Sequence, residues 1–212
     1  VTIFSFFQAK TSIENRLCNK IAVYSQKEYR CSDENIKALR KVLIDNKIDI
    51  IINQWGLPYV PILVAHKAAN GLNIKIISIH HNDPSANGKL YDCNISISNA
   101  NNEIKKIIFI CKKSIIRFIT SRSMRYVYNH SDVYQVLSPS FVERFKSFTG
   151  IKNPKKLMVQ TNPVTIETGD FVLKPANKEK EIIYVGRIDY NQKRVYRAID
   201  TWALLEKKYT EW

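Results

Sequence analysis

A short apolar run, a glycine and a basic helix start in residues 181–194 constrain the fold of this 212-residue chain most strongly. The run Ile182–Val185 has the length and character of a strand buried in a parallel sheet, and Gly186 permits a sharp turn at its end. From about Gln192, apolar residues recur at helical spacing and predict a helix with one buried face. We therefore expect a strand, a tight turn and a helix within a parallel α/β sheet.

The cations at this turn indicate an anion site. Arg187 directly follows the predicted strand, and Lys193 and Arg194 fall in the predicted first turn of the helix. Positive side chains there oppose the helix dipole, and a bound phosphate would remove that conflict. A guanidinium, an ammonium and free backbone N–H groups would then converge on one anion. We predict a diphosphate site formed by Gly186, Arg187 and Lys193, and the alternative is that these cations are only solvated.

Residues 185–212, VGRIDYNQKRVYRAIDTWALLEKKYTEW, resemble the opening of the second domain of group 1 (family 4) glycosyltransferases. Members of that family have the GT-B fold, in which two Rossmann-like domains face each other. The resemblance implies that Arg187 and Lys193 bind the diphosphate of a nucleoside diphosphate sugar. It also implies a retaining hexosyltransferase that needs no metal and no cofactor besides its donor substrate.

The resemblance implies how the chain is divided into domains. Residues 1–164 are expected to form the Rossmann-like N-terminal, acceptor-side domain, 165–180 a linker, and 181–212 the beginning of the nucleotide-sugar-binding domain. The resemblance implies a further strand, glycine-rich loop and helix before Val1, and donor-binding acidic residues after Trp212. We therefore expect residues 1–212 alone to lack transferase activity.

Apolar runs along the first range predict its strands, and helical spacing between them predicts helices. The predicted strands are Val1–Phe7, Ile21–Tyr24, Asp49–Asn53, Ile74–Ile79, Ser131–Leu137 and Leu157–Gln160. Ser32 is the predicted N-cap of a helix over residues 33–46, and residues 84–94 are predicted to be a loop. The strand at Asp49–Asn53 is expected to be buried.

A histidine pair follows the strand Ile74–Ile79 directly. A histidine at the carboxyl end of a strand can donate to a phosphate or to a sugar hydroxyl. Metal binding by His80, His81 and Asp83 is disfavoured because adjacent ligands point apart, so no metal site is predicted. The resemblance implies that one histidine lines the cleft and orients donor or acceptor. His80 aligns better than His81, and the choice between them stays open.

Other polar positions fall at predicted strand ends, where ligands of open parallel sheets bind. Trp55 either holds a sugar or plugs the top of the core. Ser138 is either a helix cap or, as the resemblance of residues 131–145 implies, a cleft residue. Asn162 lies in a turn, TNPV, that resembles the family's turn at the start of the linker.

The composition predicts an anionic partner, since 33 basic minus 19 acidic residues give a net charge of +14. Nucleic acid, a phosphorylated substrate and an anionic membrane all fit this charge. We expect no nucleic-acid partner, because no motif interleaves aromatic with basic residues on a sheet. None of the six glycines lies in a G-x-G-x-x-G arrangement, which argues against a dinucleotide enzyme.

The most basic stretch is residues 104–126, which contain no Asp or Glu. Its cations are Lys105, Lys106, Lys112, Lys113, Arg117, Arg122 and Arg125. At 100° per residue an apolar arc forms opposite most of these cations. The arc consists of Ile104, Ile107, Ile108, Cys111, Ile115, Phe118 and Ile119. Two readings stay open: residues 104–119 contact an anionic bilayer, or the helix packs into the core with a solvated basic face. The helix pattern breaks beyond Thr120, and Ser121 is predicted to start another helix.

Apolar runs and cysteines in the sequence predict the cellular location. The sequence has no run of eighteen apolar residues and no visible signal peptide. The four cysteines, without C-x-x-C spacing, are expected to be buried thiols in a reducing cytosol. We expect a cytoplasmic protein, with peripheral contact at the inner face of the membrane as an open alternative.

These expectations combine into one function and one rival. The first is transfer of a sugar from a nucleoside diphosphate sugar to a glycan or lipid-linked acceptor in polysaccharide or lipopolysaccharide synthesis. The rival is a non-enzymatic basic module that binds RNA or an anionic membrane.

Overall fold

The computed structural model describes residues 1–6, 22–25, 28–163, 181–186, 188 and 193–209. Within it the chain divides into two compact units, Val1–Asn162 and Pro163–Trp212. The predicted linker at 165–180 and the predicted diphosphate ligand Arg187 lie outside the described residues. No helix in the described ranges is long and apolar enough to cross a membrane.

The described strands of the first unit form two parallel sheets. Strands β1 (Thr2–Ser5) and β2 (Ala22–Ser25) pair in a two-stranded sheet. Strands β3 (Ile50–Asn53), β4 (Lys75–His80), β5 (Val133–Val136) and β6 (Leu157–Val159) form a four-stranded sheet in that order. Every pairing is parallel, so the carboxyl ends of the four strands lie along one edge. The predicted parallel α/β architecture of this unit is confirmed.

In the described part of the first unit, five helices flank the strands: α1 (Asp33–Asp45), α2 (Tyr59–Ala69), α3 (Gly88–Ser98), α4 (Glu103–Asn129) and α5 (Ser140–Thr149). The predicted cap of α1 is confirmed, since Ser32 Oγ accepts a hydrogen bond of 3.2 Å from the Asn35 backbone N–H. Among the described residues, the buried core is made by side chains between Leu39 and Phe148, with Tyr134 and Phe145 as its largest fully buried side chains.

Two helix predictions are wrong. Residues 84–94 were expected to be a loop, but α3 begins at Gly88, where Asn87 Oδ1 accepts from the Lys89 backbone N–H at 2.8 Å. Ser121 was expected to start a separate helix, but α4 runs unbroken to Asn129. It continues because no proline or glycine interrupts it, and because Met124 and Val127 extend the stripe that faces the core.

Two predictions of burial are also wrong. Strand β3 was expected to be buried, but Ile50 and Ile52 are 53% and 55% exposed. It is an outer strand of the four-stranded sheet, and only its other face, with half-buried Ile51, packs against the core. The cysteines were expected to be buried thiols, but Cys111 is exposed. Of the others, Cys93 is buried, Cys31 is half-buried and Cys18 lies outside the described residues.

The described residues of the second unit contain helix α6 (Val195–Leu205). The predicted strand Ile182–Val185 is absent there, and its four side chains are exposed. A buried strand needs paired neighbours, and no described residue supplies one. The predicted buried face of α6 is likewise wrong, because Ile199 and the other described side chains of α6 are not buried.

Candidate functional site

His80 occupies the carboxyl end of β4, where it is paired in register with Val136 of β5. The side chain is buried, with 4% of the residue exposed, and its ring stacks on Tyr134 at a centroid distance of 6.3 Å. Its Nε2 atom is buried and has no hydrogen-bond partner among the described residues. Buried polar atoms of native proteins are nearly always bonded, so this nitrogen is suited to bind a ligand.

The burial of His80 also fixes its charge. Loss of hydration lowers the pKa of the imidazole from 6.5 to about 4, although a hydrogen bond with the Asp83 backbone opposes this shift. A bond that raises a histidine pKa is one that the ring donates to a carbonyl. Because its pKa lies near 4, the ring is neutral at pH 7. Its Nε2 then carries a lone pair that can accept a hydrogen bond from a hydroxyl group.

Gly56 holds the strand end that carries His80. The Gly56 backbone N–H donates to the Ile79 carbonyl at 2.9 Å, and its carbonyl accepts from Tyr134 Oη at 2.6 Å. A Cβ atom at position 56 would lie 2.9 Å from His80 Cα, which is closer than real Cβ atoms approach. Burial raises the pKa of Tyr134, so its hydroxyl remains a donor. Sequence reasoning missed Tyr134 and its contact with Gly56.

A buried polar network fixes the loop after β3. Asn53 Nδ2 donates to Ser78 Oγ at 3.0 Å, and a hydrogen bond of 2.7 Å joins Ser78 Oγ to Ser131 Oγ. Asn53 Oδ1 also accepts from the Trp55 backbone N–H at 3.2 Å. Because these three side chains satisfy one another, the loop is set rigidly beside the end of β4.

An aromatic surface stands at the start of that loop. Trp55 is 49% exposed and meets Tyr29 edge to face at a centroid distance of 5.5 Å. Phe6 contacts Tyr29 in the same way at 5.6 Å. The expectation that Trp55 plugs the core is therefore wrong, and its accessible ring can stack on an apolar sugar face.

The neighbours of His80 are engaged in other contacts. His81 is exposed, with its Nε2 2.7 Å from Gln54 Oε1. Burial alone would raise the pKa of Asp83, but hydrogen bonds with Ser85 and the ion pair with Arg144 outweigh burial and lower it. Among the described residues, no group of three His, Cys, Asp or Glu side chains is placed to hold a metal ion.

The remaining candidate residues fall in two places. Ser138 lies two residues beyond the end of β5, and its Oγ accepts from the Ser140 backbone N–H at 3.3 Å, whereas the N-cap of α5 is Pro139. Asn162 is exposed three residues beyond the end of β6. Both therefore follow strands that end at the same sheet edge as His80.

The described members of the predicted diphosphate site belong to the second unit. Gly186 and Lys193 are exposed there. Lys193 and Arg194 precede α6 instead of forming its first turn, because Arg194 is the N-cap, with a left-handed φ of 51°. A cation before the helix still stands close to the free N–H groups of the first turn.

Two cavities of the first unit lie away from His80. One, of about 340 Å³, opens at the amino ends of the strands, between His66, His130, Asp132 and Lys156. The second, of about 350 Å³, is lined by Ser85, Glu143, Ser147, Phe148 and the two arginines Arg117 and Arg144. Ligands of parallel sheets bind at the carboxyl edge, so the first cavity is not the candidate site.

At the carboxyl edge of the sheet, the loop that carries the exposed Trp55 ring thus packs against His80, whose neutral imidazole nitrogen is buried without a described partner. A hydroxyl-bearing ligand that reaches this nitrogen could be oriented by it and covered on one face by the indole ring. Comparison of the sequence with models of known protein families, and with curated proteins, found no match.

Proposed function

We propose that this protein is a glycosyltransferase of the GT-B type that moves a sugar from a nucleoside diphosphate sugar to a glycan or lipid-linked acceptor, with retention of configuration. The observation that carries the proposal is His80, a buried neutral imidazole with an unpartnered Nε2 at the carboxyl edge of a parallel sheet. The resemblance of residues 185–212 to the family's second domain supports the choice of donor.

The chemistry depends on charge stabilisation. As the anomeric bond breaks, negative charge accumulates on the departing diphosphate. Arg187, Lys193 and the N-terminus of α6 supply the positive charge that this leaving group requires. His80 accepts a hydrogen bond from a sugar hydroxyl, and the Trp55 ring covers the sugar. These residues orient and stabilise the reactants, and neither a nucleophilic side chain nor a metal ion is assigned.

Calorimetric titration of the full-length protein with UDP, GDP and ADP tests the donor half of the proposal. We expect one diphosphate to bind, and Arg187→Ala and Lys193→Ala each to weaken it by about 1 to 3 kcal/mol, as loss of a charge-assisted hydrogen bond does. Lys207→Ala is the matched control, because it removes an exposed cation after the end of α6. If neither substitution weakens diphosphate binding, Arg187 and Lys193 have only a structural role.

The His80→Gln variant tests the other half. Glutamine keeps a hydrogen-bonding group, but it cannot reproduce the imidazole geometry. In the full-length protein, we expect sugar transfer to be lost while diphosphate affinity stays unchanged, and His81→Gln to leave both unchanged. A second candidate function, non-enzymatic binding to an anionic membrane, is favoured by the exposed apolar surface of α4. It predicts neither diphosphate binding nor any effect of His80→Gln.

A further inference from the structure

The N-terminal half of α4 leaves a contiguous apolar surface uncovered. This surface, the outer face of α4, consists of the exposed residues Ile104, Ile107, Ile108, Cys111, Ile115, Phe118 and Ile119. Ile104 is 72% exposed, and Ile107 and Ile108, the least exposed of its measured isoleucines, are 57% exposed. Folded proteins seldom leave so continuous an apolar surface in water, so the outer face calls for a partner.

A different stripe of the same helix faces the protein. Phe109, Lys113 and Ile116 are half-buried at helical spacing, and the stripe continues into the fully buried Met124. Helix α3 packs along α4. The other stripe thus holds α4 in place, and the outer face stays exposed in the described part of the first unit.

Cations border the outer face. At 100° per residue, Lys105 and Lys112 project along one margin of the face. Arg122 lies one turn beyond Phe118, in line with the face itself. All three cations are exposed. Residues 104–126 contain no acidic side chain that would offset them. Long basic side chains extend past an apolar face toward anionic groups, as they do on helices that lie in a membrane interface.

We propose that the outer face of α4 docks on an anionic lipid bilayer, with the helix lying in the plane of the interface. The isoleucines and Phe118 enter the boundary of the acyl chains, and the bordering cations contact lipid phosphates. A second copy of the chain is a poorer occupant, because a symmetric contact would bring Lys105 and Lys112 against like charges. Nucleic acid offers no apolar surface of this size, and its phosphates would leave the isoleucines in water.

Sedimentation of the protein with lipid vesicles tests this assignment. We expect binding to vesicles that contain phosphatidylglycerol, weaker binding at high salt, and none to pure phosphatidylcholine. The double variant Ile108→Ser with Ile115→Ser should reduce binding at least about tenfold, because both apolar groups that enter the bilayer are lost. Its control is Ile199→Ser with Leu204→Ser, which removes two exposed apolar side chains from α6.

The charge is tested in the same way. Lys105→Gln with Lys112→Gln should also reduce binding at least about tenfold, while the control Lys37→Gln with Lys67→Gln, on α1 and α2, should change it less than about twofold. Circular dichroism should be unchanged for every variant, since all of the substituted side chains are exposed.

Three outcomes would overturn the assignment. Equal binding to neutral and anionic vesicles would remove the role of the cations. Binding that survives the change of Ile108 and Ile115 would place the contact elsewhere. A dimer in lipid-free solution that the same change abolishes would assign the outer face to a second copy. Diphosphate binding is measured without lipid, so failure of the vesicle test would leave the proposed sugar transfer untouched.

Discussion

His80 combines deep burial with a ring nitrogen that lacks a described partner, and the two properties have different consequences. Burial removes the positive charge, because an imidazolium without a counter-charge is costly in an apolar surrounding. The unpartnered Nε2 leaves a lone pair at the sheet edge. The same residue therefore affects stability through its pKa and ligand binding through its geometry, and each effect can be measured alone.

The pKa of His80 predicts how stability depends on pH. In the unfolded chain the imidazole takes up a proton below about 6.5, whereas in the folded protein it does so only below about 4. The unfolded state therefore binds more protons between these values. The stability that the neutral His80 contributes is complete above about pH 6.5 and is lost as the pH falls toward about 4. We expect chemical denaturation to show a loss of about 2 kcal/mol between about pH 7 and pH 5 from this group.

The variants His80→Gln and His81→Gln separate this contribution from that of other groups. The His80 variant should lose this part of the pH dependence, and its stability at neutral pH is measured separately because a buried side chain has changed. The exposed His81 serves as the control and should retain the dependence. Equal pH dependence of the His80 variant and the unchanged protein would contradict the buried, neutral state.

Contacts of the candidate site could be predicted only where they are local. His80, at the end of a clear apolar run, was found from the sequence because strand ends in parallel sheets carry ligands. Tyr134 and its contact with Gly56 were not found, since the two residues meet across 78 residues of chain and no local pattern marks the contact. Whether His80 or His81 faces inward was also beyond the sequence, because strand pairing decides which side chain is buried.

Helix α4 shows the same limit at the scale of an element. Its apolar arc was recognised correctly, yet the arc faces outward and the stripe with Phe109 and Ile116 faces the protein. Periodicity shows that a helix has an apolar face, but the neighbouring elements determine which face they cover. Here α3, most of which was expected to be a loop, packs along α4.

The uneven burial of α4 predicts uneven protection of its amides from hydrogen exchange. Residues 105–119 have few buried contacts, whereas Ser121, Met124, Val127 and Tyr128 are buried. Local opening costs less free energy where less surface is packed. We expect the amides of 105–119 to exchange at least about tenfold faster than those of 121–128, after correction for intrinsic rates. Helix α2, which contains fully buried Ile62, should match the slower half. Uniform protection along α4 would show that the helix opens as one unit.

At the scale of the whole molecule, packed structure is concentrated in the first unit. Its core residues lie between Leu39 and Phe148, and α6 contains no buried side chain. The parallel sheet could be predicted because each strand carries its own apolar run. Helix α6 was also predicted from its apolar spacing, but the strand at Ile182–Val185 was predicted wrongly, because such a run becomes a strand only when neighbouring strands pair with it.

This distribution predicts the result of ending the chain at Asn162, the last residue of the first unit. The shortened chain keeps every residue of the core, so its free energy of unfolding should differ from that of residues 1–212 by less than about 0.5 kcal/mol. The denaturant dependence should also be unchanged, because it scales with the surface that unfolding exposes and α6 has no buried residue to expose. Urea titration followed by tryptophan fluorescence measures both quantities, with Trp55 as the remaining reporter. A loss above about 1 kcal/mol, or a smaller dependence on urea, would show that residues 163–212 bury surface on folding.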